Sequence, residues 1–114
     1  MPTVTNSAYR ALSDRQLAIG QVASIATTVG TGAVTCGSLL TEVLSRSQML
    51  VATNTHASAT VYVGYLSSMT AAAGWQYKLV AGDYISLQID RAMLDLVYIL
   101  ASVAATTLTL TVAD

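Results

Sequence analysis

The chain has 114 residues, of which 54% are hydrophobic and only 10% charged, with a formal net charge of −1. Its five Lys and Arg are scattered singly, leaving no basic stripe to neutralise a phosphate backbone, which argues against nucleic-acid binding as the main task. The length suits one domain, and a charged share far below the usual ~25% implies that neighbouring subunits cover part of the surface.

Residues 1–16, "MPTVTNSAYRALSDRQ", are polar and show neither the apolar core nor the cleavage pattern of a signal peptide. They read as an arm that reaches a neighbouring subunit, with Tyr9, Arg10 and Leu12 as its anchors. From Gln16 the texture changes. "QLAIGQVASIATTVGTGAVTCGSLLTEVL" combines glycines with β-branched residues, which disfavours a continuous helix. It predicts strands near 17–28 and 33–44 joined by a hairpin at "VGTG", 29–32. "SLLTEVLSR" has a helical turn or two as its alternative.

"QMLVATNT" (48–55) predicts a strand with Leu50 and Ala52 on one face and Met49 and Val51 on the other. A short polar connection, tipped by the chain's single histidine His56, leads to "ATVYVGYL" (59–66), with Val61, Val63 and Tyr65 on one side. "SSMTAAAG" (67–74) is a small-residue connection. "WQYKLVAGDYISLQI" predicts two strands around a turn at 81–83, the second alternating Ile85, Leu87 and Ile89 with Tyr84, Ser86 and Gln88. "DRAM" (90–93) reads as a turn. "LDLVYILAS" then places Leu94, Leu96, Tyr98 and Leu100 on one face of a strand. "TTLTLTVAD" turns Leu108, Leu110 and Val112 inward and Thr107, Thr109 and Thr111 outward.

Seven or eight short strands at roughly ten-residue spacing predict an all-β fold. The expected form is a single antiparallel β-sandwich or barrel, jelly-roll-like, over 17–114, with 1–16 as a polar N-terminal arm. The uncharged run 96–113 has the length of a membrane span. Its Thr alternation suits a half-exposed strand instead, so no membrane segment is expected.

The inventory of reactive groups is thin. His56 has Glu42 and Asp83 as its nearest carboxylates in sequence, and no nucleophile elbow accompanies it. Asp83, Asp90 and Asp95 read as turn-forming aspartates rather than a glycosidase pair. Single Cys36 excludes an internal disulfide and reads as a small buried hydrophobe. Neither a zinc spacing nor a phosphate-binding glycine fingerprint is present, so no catalytic residue, metal or cofactor is expected. Trp75 with Tyr62, Tyr65, Tyr77 and Tyr84 suits core or subunit interface, with Trp75 and Tyr77 the interface candidates. Carbohydrate stacking on Trp75 and the middle tyrosines is the alternative from another class.

One stretch carries a resemblance. "VATNTHASATVYVGYLSSMTAAAGWQYKLVAGDYISLQI" followed by "LDLVYILASVAATTLTLTVAD" resembles small virion proteins of tailed bacteriophages. The matching residues are Asn54, Thr55, Val61, Tyr62, Val63, Gly64, Thr70, Ala71, Gly74, Leu79, Ala81, Gly82 and Asp83. They cover turns and strands in a little over half the chain. The resemblance implies a non-enzymatic β-sandwich that assembles on capsids or tails. The expectation is a capsid decoration or cement protein bound to the major capsid protein or other virion subunits. A homo-oligomer, with a trimer suited to three-fold positions, and assembly in the host cytoplasm go with it. A tail, baseplate or head-fibre component is the alternative station.

Overall fold

The computed structural model describes residues 22–40 and 49–113. Within them lie eight strands: β1 (Val22–Val29), β2 (Val34–Thr35), β3 (Met49–Asn54), β4 (Val61–Gly64), β5 (Tyr77–Leu79), β6 (Tyr84–Gln88), β7 (Tyr98–Ala101) and β8 (Thr106–Ala113). Sheet one runs β1-β8-β3-β6 and sheet two β2-β7-β4-β5, with every pairing antiparallel. Of the links between successive strands, only β4 to β5 stays within one sheet. Two four-stranded open sheets joined by crossing connections are the strand order of a jelly roll, so the fold is a sandwich rather than a closed barrel.

Period-2 patterning builds sheet one. On β8, Leu108, Leu110 and Val112 are buried, Thr107 is exposed, and Thr109 and Thr111 are half-buried. The pleat alone sends successive side chains to opposite faces. β8 sits between two partners, and the inner row Ile25–Leu110–Ala52–Ile85 crosses all four strands. A second row, Val112–Leu50–Leu87, lies beside it. From sheet two, Val61, Val63, Leu79, Ile99 and Ala101 close the core from the other side. Each large aliphatic side chain withdrawn from water contributes about 1.5–3 kcal/mol.

The expected alternations on β3, β6 and β8 hold, and several connections differ. "VGTG" forms no hairpin: β1 lies in sheet one and β2 in sheet two. Gly74 and Gly82 are the described glycines with positive φ, so Gly30 and Gly32 lack the geometry of a two-residue type I′ turn. Alternation marks which face of a strand is buried but leaves its partner open. β1 finds eight consecutive partners on β8, whereas β2 has two residues to offer.

The strand expected near 33–44 stops at Thr35. Cys36–Leu39 is a helical turn capped by the Thr35 side chain, which accepts from the Ser38 N–H at 3.2 Å; residues 41–48 fall outside the described range. Leu94 and Leu96 belong to a 3₁₀ helix (Arg91–Leu96), because the Asp90 carboxylate accepts the Met93 N–H and starts a helical turn before β7. Tyr65 follows the end of β4 and is exposed instead of sharing the buried side of Val61 and Val63. The apolar run 96–113 forms β7 and β8, and no described helix is long and apolar enough to cross a membrane.

Candidate interaction surface

The stretch from Asn54 to Tyr65 ties the two sheets together. Asn54 ends β3 on the inward parity of Leu50 and Ala52, and it is fully buried. A buried amide is costly unless satisfied. Its Nδ2 donates to the carbonyls of Ala59 (2.8 Å) and Leu79 (2.9 Å), and its Oδ1 accepts the His56 N–H (3.0 Å). Its backbone is held equally: Asn54 N–H donates to Asp83 O, and Gly82 N–H donates to Asn54 O. One residue thus staples three places: its side chain holds the 55–60 connection and the end of β5, and its backbone holds the turn that carries the chain from sheet two to sheet one. Gly82 sits at φ +84°, a backbone conformation a side chain rarely adopts.

His56 belongs to the same staple. Its Nδ1 accepts the N–H groups of Ser58 (3.1 Å) and Ala59 (3.0 Å), which places the ring proton on Nε2 and makes the imidazole a loop brace. It tips the polar connection, but it is half-buried and structural.

Past β4 lies an aromatic cluster. The Tyr62 and Trp75 rings are 5.3 Å apart and tilted by 44°, an arrangement favoured by the ring quadrupoles. Trp75 Nε1 donates to Ala71 O at 3.2 Å, and Gln76 N–H donates to Val63 O, so the 70–76 connection is laid against the end of β4. Gly64 makes this possible: a Cβ there would lie 2.9 Å from Met69 Sδ and 3.1 Å from Trp75 Cα. The neighbouring Tyr77 hydroxyl, followed by partial desolvation, raises the Tyr65 pKa. Tyr65, Tyr77 and Lys78 are exposed around the pair. Of the interface candidates on the sandwich, Trp75 packs on Tyr62, opposite Lys78, whereas Tyr77 stands opposite the inward-facing Val63 at the β5 edge of sheet two. Tyr9, Arg10 and Leu12 of the arm lie outside the described residues.

The titratable groups are dispersed. Asp83 lies in the β5–β6 turn, Asp90 caps the 3₁₀ helix, and Asp95 Oδ1 occupies the space a side chain at position 37 would need, which is why Gly37 stands there. Burial pushes the Cys36 thiol up to about 12, leaving it unreactive as a nucleophile. Among the described residues no three His, Cys, Asp or Glu gather as metal ligands. An open groove of about 420 Å³ is lined by Gln88, Ile89, Asp90 and Met93, with one carboxylate and no aromatic ring.

The outer face of sheet one has a different character. Cross-strand rows Ser24–Thr111–Val51–Ser86 and Ala26–Thr109–Thr53–Tyr84 run over it, and Ser24 Oγ and Thr111 Oγ1 share a hydrogen bond at 3.0 Å. No described residue on this face is charged. The sequence announced the hydroxyls of β8. It did not announce Asn54 as a staple, although the parity of Leu50, Ala52 and Asn54 carried that signal.

No protein-family model and no curated protein matches the chain. Among solved structures it is similar to the Tobacco streak virus coat protein, with a TM-score of 0.43 and 8% identity over 84% of this chain and 87% of that one. It is also similar to a chain of the Bacillus endospore appendages, described as disulfide-linked pili, with a TM-score of 0.39 and 18% identity over 83% and 87%. At such scores the likeness transfers no residue and no role.

Proposed function

We propose that this chain is a non-enzymatic structural subunit of a tailed-bacteriophage particle, a decoration or cement protein that bridges capsid subunits. The observation that carries the reading is the charge-free outer face of sheet one on a sandwich whose His56, Asp90 and Asp95 serve a turn, a cap and packing. A solvent-facing sheet normally carries charge, whereas a face destined for a partner is depleted of it. The phage-like stretch supports the same reading. Its Asn54, Gly64, Gly82 and Asp83 are structural residues of the staple and the close-packed β4 end.

Cement works by burying area across joints between subunits. A standard interface of about 1,600 Å² at about 25 cal/mol per Å² gives roughly 40 kcal/mol of gross stabilisation, from which the costs of association and ordering are subtracted. Repetition over a symmetric lattice multiplies a modest net term. In this reading the arm, residues 1–16, reaches the neighbour through Tyr9, Arg10 and Leu12, and Trp75 and Tyr77 make further contacts. The major capsid protein is the partner, and a trimer fits local three-fold positions.

Purified particles test this. The chain binds capsids saturably and raises the temperature at which they rupture, and deletion of 2–16 lowers both occupancy and rupture temperature. No affinity for heads would sink the decoration reading, and density found on a tail, baseplate or fibre would move the station. The Tyr62–Trp75 pair favours one second reading, a carbohydrate-binding module. Saturable glycan binding lost in a folded Trp75→Ala variant would establish it.

A further inference from the structure

Four strands border the two sheets: β1 and β6 in sheet one, β2 and β5 in sheet two. Three of them are short or guarded. β2 has two residues, β5 has three and carries Lys78, and β6 has five and is bracketed by Asp83 and Asp90. β1 is unlike them. Its eight residues, "VASIATTV", contain no charge and no proline, and they pair with β8 in unbroken register from Val22↔Ala113 to Val29↔Thr106, so no bulge twists the edge away. No described strand pairs with its other side. Short length, charge, proline and bulges are the devices that keep an open edge from pairing with another chain. β1 has none.

We propose that the edge of β1 left unpaired among the described residues is an assembly edge, to which a second copy of this chain adds its own β1 antiparallel, joining two first sheets into one. This rests on the structural-subunit reading only in taking the partner to be another copy. The chemistry favours self over a foreign peptide because the strand is complementary to itself. Ile25 and Val29 face the core, while Ser24, Ala26 and Thr28 face out. Around a two-fold axis each residue meets one of its own parity, so inward residues meet inward ones. Registers in which Ile25 or Ala26 meets itself keep both cores closed. The neutral outer face then continues across the junction with no like charges opposed. An eight-residue pairing alone falls short of a standard interface, so the association is weak in solution and completed on a lattice.

The test uses the full chain. Sedimentation from micromolar to millimolar concentration is expected to show the average mass rising towards that of a dimer. A mixture of isotope-labelled and unlabelled chains shows intermolecular Hα–Hα contacts within Val22–Val29. Ala26→Lys places two ammonium groups across the axis from an exposed position and weakens association at least ~10-fold at low salt. An equimolar mixture of Ala26→Lys and Ala26→Glu recovers the pairing, which a misfolded variant cannot do. A chain that stays monomeric at millimolar concentration, an Ala26→Lys variant that dimerises as before, or contacts mapping to another strand would overturn the proposal. Particle binding by a strictly monomeric chain would sink the edge alone. Self-association without particle binding would sink the decoration reading alone.

Discussion

Sheets one and two are built by different means. Sheet one has strands of five to eight residues, and its central β8 is flanked on both sides by continuous ladders. Sheet two has strands of two to four residues. The loops around it are fixed by side chains: Asn54 and His56 in one connection, the Thr70 hydroxyl accepting from Ala72 and Ala73 in another, and Asp90 before β7. A ladder supplies its own backbone partners, so sheet one tolerates polar variation on its outer face. Loops must borrow partners from side chains, so in sheet two a few polar residues decide whether the backbone is satisfied.

The sharpest way to break this contrast lies within β8. Leu110→Ala, at the centre of the inner row, should cost about 4 kcal/mol in urea unfolding, whereas Thr109→Ala on the opposite face should cost less than about 0.5 kcal/mol. Equal effects would mean that the two faces are not what the exposure pattern says. Next in size is Asn54→Ala, which orphans the carbonyls of Ala59 and Leu79 and should cost about 3 kcal/mol. Amide exchange should rise first at residues 55–60 and 80–83, while β8 stays protected. Loss of protection in β8 at the same rate would dissolve the distinction between ladder and staple.

The smallest effect appears in alkali. The Cys36 thiol is raised from an ordinary 9.0 to about 12 by burial, so it stays neutral in the fold at pH values where the unfolded chain already releases its proton. Its contribution is complete below pH 9 and fades as pH climbs from 9 towards 12, removing about 1.4 kcal/mol by pH 10. Stability of Cys36→Ala measured from pH 8 to 11 should lack this loss. The helical turn bearing Cys36 is then held by burial of the thiol together with the Thr35 cap and the Cys36 N–H bond to Val97 O.

Much of sheet one was legible in the sequence because alternation is a local signal. The Thr–Leu rhythm of β8, the Ile85–Leu87–Ile89 face of β6 and the Leu50–Ala52 face of β3 all lie where the pattern put them. What alternation cannot encode is the partner. "VGTG" between two β-rich runs read as a hairpin, yet β1 pairs with the last described strand. Leu94 and Leu96 matched a strand's period over a stretch too short to tell from a 3₁₀ turn, and the Asp90 cap decided it. Of the interface candidates, Trp75 and Tyr77 were legible as aromatic residues beside strands. The packing of Trp75 on Tyr62 depends on Gly64 admitting the 70–76 connection, which is a three-dimensional fact.

The pairing of β1 with β8 also sets a clock for biosynthesis. Ser24 and its hydroxyl partner Thr111 stand 87 residues apart, a gap a ribosome covers in roughly 4–17 s. Throughout that interval the nascent chain holds an uncharged, β-branched segment with no mate, and β3 likewise lacks its inner neighbour. Docking of β8 is therefore the event that ends a window of vulnerability. Slow translation or a chaperone that shields Val22–Val29 should alter the yield of this chain far more than its final stability.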